Sequence, residues 1–344
     1  MQVLVTGGGG FLGGRIVARL LRRGDQVRIL VRRPCPQLAA QGAAEFLGDL
    51  RAPATLAAAC RGCDLAIHTA AKAGVWGRSG EFWEVNVGGT QNLLDACVRE
   101  NVPHLLFTSS PSVVFGRGPV AGADETSPYP ARHLADYPAS KAEAERRVLA
   151  ANGRGLPGGG HLRTCALRPH LIWGAGDPHL VPRLVDLARR GRLRQVGDGT
   201  NRVDLTHVEN AAAAHLQAAA ALLRPGAAVA GQAYFIGDAE PVRLWDWLRD
   251  LLGRLGLRLP PRAVPFRVAY AAGAVEELLH RLLPALGEPC MTRFVASQLA
   301  LDHWFRHDAA RRDFGYRPVA EPAAELERLV AWLRAGMPGP GGPC

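Results

Sequence analysis

Residues 2–14, QVLVTGGGGFLGG, decide the fold. QVLVT is a short β-branched apolar run, and FLGGRIVARLLRR at 11–23 carries apolar residues at helical spacing, so a strand turns straight into a helix. The turn between them fits T-G-x-x-G-x-x-G, with Gly7, Gly10 and Gly13. Glycine permits the tight turn, lets the backbone approach a pyrophosphate, and lets the helix pack closely on the strand. The helix N-terminus, opened by Phe11 and Leu12, then faces phosphate charge. Glycine-rich turns are common, but one placed between strand one and helix one points to a dinucleotide.

The alternation continues outward. QVRILV (26–31), AEFLG (44–48), DLAIHTA (64–70), HLLFTSS (104–110), RTCALRP (163–169) and QAYFIG (232–237) read as strands, with helices at 81–100 and 137–151. Such a chain is α/β, a Rossmann-type doubly wound parallel sheet with a smaller, mostly C-terminal substrate lobe. The expected division gives 1–170 plus 202–237 to the dinucleotide-binding domain and 171–201 plus 238–335 to the substrate lobe. Residues 336–344 are expected to be a disordered tail.

Composition narrows the function. Apolar residues make up 48% of 344, and no charge-free run approaches the ~18 needed to span a bilayer. The N-terminus runs into a strand with no basic leader, so a cytoplasmic protein is expected. The net charge is +10, yet the arginines are scattered with few aromatics among them, which argues against a nucleic-acid partner. Of seven cysteines, Cys60 and Cys63 form CRGC at the end of a helix rather than the start of one, and no second pair completes a metal site. Two plain thiols and no metal are expected.

The second strand ends in Val31-Arg32-Arg33, where an NAD site usually carries a carboxylate for the ribose 2′-hydroxyl. A guanidinium there suits a 2′-phosphate, so NADP(H) is favoured, with NAD(H) possible. Asp49 and Leu50 of GDL are expected at the adenine, and Ala70 and Ala71 of HTAA along the sheet edge.

Lysines plus arginines number 41, and only Lys72 and Lys141 are lysine, leaving 41 − 2 = 39 arginines. Lys141 lies four residues after Tyr137, one helical turn along the same face. Its ammonium is expected to favour the phenolate and to hold ribose hydroxyls, which the broad fork of arginine would do poorly. Lys72 follows strand four directly, where a compact charge could attract a substrate carboxylate.

At this point the chain resembles an extended short-chain dehydrogenase/reductase, matching TGGGGFLGG, GDL, HTAA, VNVGGTQNLL, TSS, YPASK and LRP in order. More narrowly it resembles the 3β-hydroxysteroid and sterol dehydrogenase branch. AAKAGVWG, LRPHLIWGAGD and VGDGTNRVDLTHVENAAAAH resemble in particular bacterial 2-alkyl-3-oxoalkanoate reductases of olefin synthesis. The resemblance implies that Ser110 hydrogen-bonds the substrate oxygen, Tyr137 transfers its proton, and Lys141 tunes Tyr137 and binds ribose. Ser109 and Ser112 stand as alternatives to Ser110. Asn86 and Pro169 are implied to contact the cofactor.

The expected activity is interconversion of a ketone and a secondary alcohol on a hydrophobic small molecule, carried out by a homodimer. Trp76, Trp173 and Phe115 are expected at an apolar pocket mouth. The amphipathic stretch 264–286 is expected to pack on the core, with at most peripheral membrane contact. A nucleotide-sugar epimerase or dehydratase shares every cofactor motif. Its usual diphosphate arginine falls at Val203 here, although Arg202 is adjacent. A non-catalytic dinucleotide sensor would normally have lost the tyrosine or the lysine.

Overall fold

A computed structural model describes residues 1–336, so the expected tail falls, from 337 on, outside the described residues. Seven strands form one parallel sheet: β1 (Gln2–Thr6), β2 (Gln26–Val31), β3 (Ala44–Leu47), β4 (Leu65–His68), β5 (His104–Thr108), β6 (Arg163–Pro169) and β7 (Ala233–Ile236), in the order β3-β2-β1-β4-β5-β6-β7. The order reverses between β1 and β4, which opens a crevice at their carboxyl ends. The central strands are buried on both faces, as their near-continuous apolar runs require.

Two helices on one face, α1 (Phe11–Arg22) and α5 (Val208–Leu222), press Leu12, Ile16, Val17 and Leu20, and an alanine-rich stripe, onto the sheet. The other face is covered by α2 (Gly89–Arg99) and α3 (Asp136–Ala150), together with Pro53–Cys60. The helix expected at 81–100 is present, but its first part is irregular: Ser79–Phe82 leads through a π-helical turn, Trp83–Gly88, into α2. Such turns often re-aim a functional side chain; here the turn carries Asn86. Cys60 and Cys63 are buried free thiols, and burial pushes Cys63 up to about 11.

A third apolar cluster is built by α4 (Leu180–Arg189), α6 (Leu244–Arg254), α7 (Phe266–Leu282), α8 (Arg293–Ala300) and α9 (Pro322–Arg334). Val203 and Leu205 belong to this cluster, and Arg202–Val203 pairs with Val242–Arg243 and His303 in a small second sheet. Ala310 and Tyr316, by contrast, belong to the cluster beneath α1 and α5. Among the described residues no helix is long and apolar enough to cross a membrane.

The inner face of α7 packs on the third cluster through Ala269, and its outer face stays open. Ala269, Gly273 and Glu277 are buried, whereas Val268, Val275, Leu278, Leu279 and Leu282 are each 44–68% exposed.

Candidate active site

The crevice at the switch of strand order is a cleft of about 680 Å³. Gly7, Gly10, Phe11, Leu12, Gly13, Arg32, Asp49, Leu50, Ala70 and Ala71 all line it. The glycines are required locally. Gly7 has φ +71°, and a Cβ there would lie 2.8 Å from the Ala70 amide nitrogen. A Cβ on Gly13 would lie 2.1 Å from the Gly7 carbonyl oxygen. The N-terminus of α1 has neither a side-chain cap nor an acidic residue in its first turn, so its amides and positive dipole end stay directed at the cleft. These features fit a dinucleotide diphosphate.

Sequence reasoning missed Arg51, which lines the cleft beside Arg32 and holds the Asp49 carboxylate through Nε at 2.8 Å. That bond holds Asp49 below its ordinary range. Asn86 and Pro169 differ from expectation. Asn86 is buried, accepting from the Lys72 amide at 2.7 Å and donating to the Lys72 carbonyl and the Ser140 hydroxyl. Its polar capacity is spent fixing the chain after β4 against the start of α3. Pro169 is buried at the end of β6 and does not line the cleft.

The hydroxyl groups converge at the end of β5. Desolvation pushes the Tyr137 phenol up, and its hydrogen bond with Ser110 opposes the rise. Ser110 caps the short turn Pro111–Val114 and lies 2.9 Å from the Ser112 hydroxyl. Ser109 and Ser112 are buried, so Ser110 is the serine that meets Tyr137. Lys141 departs from expectation: its ammonium donates to the Thr108 carbonyl at 2.6 Å and lies 4.0 Å from the Phe107 ring centroid. It stands under the end of β5 and does not lower the phenol. Burial pulls Lys141 down to about 7, with Glu145, one turn further along α3, opposing the fall.

Glu145 is itself wholly buried in a pair with Arg168, 2.6 Å, and accepts from the Tyr129 hydroxyl. Arg168 holds the carboxyl below its ordinary range despite burial. Glu145→Gln leaves that guanidinium without a counter-charge, and denaturant unfolding should show a loss of about 3–5 kcal/mol. A loss below about 1 kcal/mol would show that the pair is not holding this layer together.

Toward the third cluster the cleft opens into an apolar cavity of about 1000 Å³. Trp76 lines it. Trp173 does not: it is 1% exposed, its indole N–H donates to Asp238 at 3.0 Å, and it packs edge-on against His207. Phe115 is likewise a core residue, stacked on Phe305. Lys72 lines the nucleotide cleft, but its ammonium is paired with Glu81 at 2.6 Å. His179, unmarked in the sequence reading, lines both spaces together with Ala73.

Known proteins share this fold. The sequence model of the 3-beta hydroxysteroid dehydrogenase/isomerase family matches residues 4–266. The chain belongs to that family. It is 46% identical over 334 residues to the 2-alkyl-3-oxoalkanoate reductase of Stenotrophomonas maltophilia (strain K279a), covering 96% of this chain and 99% of that protein. Identity to short-chain dehydrogenase/reductase family 42E member 1 of Bos taurus is 37%, covering 97% and 87%. The solved structure of MoeE5 in complex with UDP-glucose and NAD superposes with a TM-score of 0.74 at 26% identity, covering 98% of this chain and all of that one. This family member is therefore an NAD(P)-dependent oxidoreductase of the extended short-chain dehydrogenase/reductase type.

Proposed function

We propose that the protein reduces the ketone of a long-chain 2-alkyl-3-oxoalkanoate to the secondary alcohol, with NADPH as the preferred reductant. The observation that carries this reading is the apolar cavity, lined by Leu171, Leu180, Leu184, Leu187, Trp247 and Met291, which meets the nucleotide cleft at Ala73 and His179. Two alkyl branches need such a space, and the 46% identical relative is named for that substrate. A 3-ketosteroid is the other apolar ketone compatible with the cavity.

A bound nicotinamide supplies hydride to the carbonyl carbon. Tyr137 gives its proton to the carbonyl oxygen while Ser110 donates a hydrogen bond to the same atom. Lys141 has two further N–H donors for ribose hydroxyls beyond its bond to Thr108. Asn86 keeps the β4 end and α3 in register around these groups.

The preference for NADPH rests on Arg32 and Arg51 at the adenosine end of the cleft, where the Asp49 carboxylate is occupied by Arg51. Titration should show NADPH binding roughly 10–100-fold more tightly than NADH, the worth of a charged hydrogen bond to the 2′-phosphate. Arg32→Asp should erase or reverse the difference. Tighter binding of NADH by the unaltered protein would refute the assignment.

A nucleotide-sugar epimerase or dehydratase is the second reading, favoured by the likeness to the UDP-glucose complex. Against it, Val203 is buried and the Arg202 guanidinium lies over the Trp304 ring, 5.0 Å from its centroid. Incubation with 2-alkyl-3-ketoacids, 3-ketosteroids and UDP-sugars, reading both NAD(P)H oxidation and the products by NMR, separates the readings, because the sugar reactions are redox-neutral overall, and turnover confined to the sugars would overturn the first.

A further inference from the structure

We propose that the outer face of α7 and the turn after it dock on the surface of a lipid bilayer carrying anionic headgroups, with the helix lying in the plane of that surface. The face is continuous. Val268, Val275, Leu278, Leu279, Leu282, Leu283 and Leu286 are 44–68% exposed and follow one another at helical spacing onto the turn Pro284–Leu286. Contiguous exposed apolar surface of this kind is rare on a freely soluble monomer.

The inner face leaves the helix no freedom to turn these side chains inward. A Cβ on Gly273 would sit 2.6 Å from the Thr292 carbonyl carbon, so α7 is already seated closely against the start of α8. Seventeen residues span about 25 Å as a helix, and Arg267, Glu276, Glu277 and Arg281 interrupt them, so the element fits lying on a bilayer rather than crossing it.

Charge selects the surface. Arg258, Arg262 and Arg267 lie just before or at the start of α7, and Arg194 lies two residues before Val196, which bridges to Val264. Among the described residues none of these four has an ion pair, whereas the nearby acids are used within the fold. Glu277 pairs with Arg293, Glu288 with Arg183, and Glu276 accepts from the Met291 amide. The result is an apolar strip flanked by unneutralised guanidinium groups, complementary to anionic headgroups.

The face also adjoins the site. Ala269, Ala272 and Glu276 of the same helix line the apolar cavity, so docking would bring that cavity to the layer in which a long-chain substrate dissolves. This last step rests on the proposed substrate class; the docking itself does not, and vesicle binding is read without turnover.

The test is flotation of the full chain with vesicles of equimolar phosphatidylglycerol and phosphatidylcholine, and with phosphatidylcholine alone. The unaltered protein should float with the anionic vesicles, less so in high salt, and poorly with the neutral ones. Leu278→Glu with Leu282→Glu, and separately Arg258→Gln with Arg262→Gln and Arg267→Gln, should each weaken binding at least about tenfold. NADPH affinity and molecular mass in solution should stay unchanged in both variants. Failure of the unaltered protein to float, or equal flotation of the variants, would overturn the proposal. So would a drop in mass of the leucine variant, which would make the face a contact between two copies of this chain.

Discussion

Tyr137→Phe is expected to lower turnover by at least about 10²-fold, the usual share of a positioned general acid, with NADPH bound as before. The substitution removes one oxygen and leaves the ring where it is. Tyr137 lies in the first turn of α3, and that end of the helix is held by Ser140, which donates to the Tyr137 carbonyl and accepts from Asn86. None of those bonds involves the phenol. The loss should therefore appear in kcat with little change in KM, and cofactor titration should match the unaltered protein. Retention of near-full activity would remove Tyr137 from the reaction.

Lys141→Met is expected to separate stability from activity. Turnover should again fall by at least about 10²-fold, because the cation under the end of β5 is gone. The fold, however, should gain stability at acid pH. Burial pulls Lys141 down to about 7, so the folded protein gives up this proton long before the unfolded chain does. Between about 7 and the ordinary value of 10.5 the unfolded state binds more protons, and stability rises with pH across that window. Below it, the folded protein carries a desolvated charge whose neighbours are the Thr108 carbonyl, the Phe107 ring, Glu145 and neutral His68. Methionine removes that burden. Melting temperatures should favour the variant near pH 6, with the gap closing toward about pH 10. A variant less stable than the parent at acid pH would show that the ammonium is held by more than these contacts.

The nucleotide half of the site was legible because its reasons are local. Gly7 and Gly13 are dictated by atoms within a few residues or on the next strand, so their spacing alone carried the reading. Strand ends were legible for the same reason, which brought Asp49, Ala70 and Ala71 to the cleft. Directions of side chains were not. Trp173 ends a two-residue strand either way, and only Asp238, 65 positions on, turns its indole into the core. Lys141 sits one turn from Tyr137 as expected, but Thr108 on another element captures its ammonium.

Arg51 and His179 carried no signal of their own. One is among 39 arginines, from 41 − 2. The other is placed by Asp177, whose carboxylate accepts from the amides of His179, Leu180 and Val181 and so starts α4 at the junction of cleft and cavity. A helix-capping aspartate two residues before a histidine is readable in sequence, but its position over the cleft is not. The apolar stripe of α7 was visible as amphipathic, and its exposure depends on the close seating of Gly273, which no local pattern reveals.

The central claim is direct hydride transfer to a ketone carbon in an apolar cavity. NADPH deuterated at the transferable position of C4 should place one deuterium on the new carbinol carbon of a 2-alkyl-3-hydroxyalkanoate, read by mass and NMR, with NADP⁺ formed in equal amount. A product without deuterium at that carbon, or turnover only of a UDP-sugar with no net oxidation of NADPH, would contradict the account.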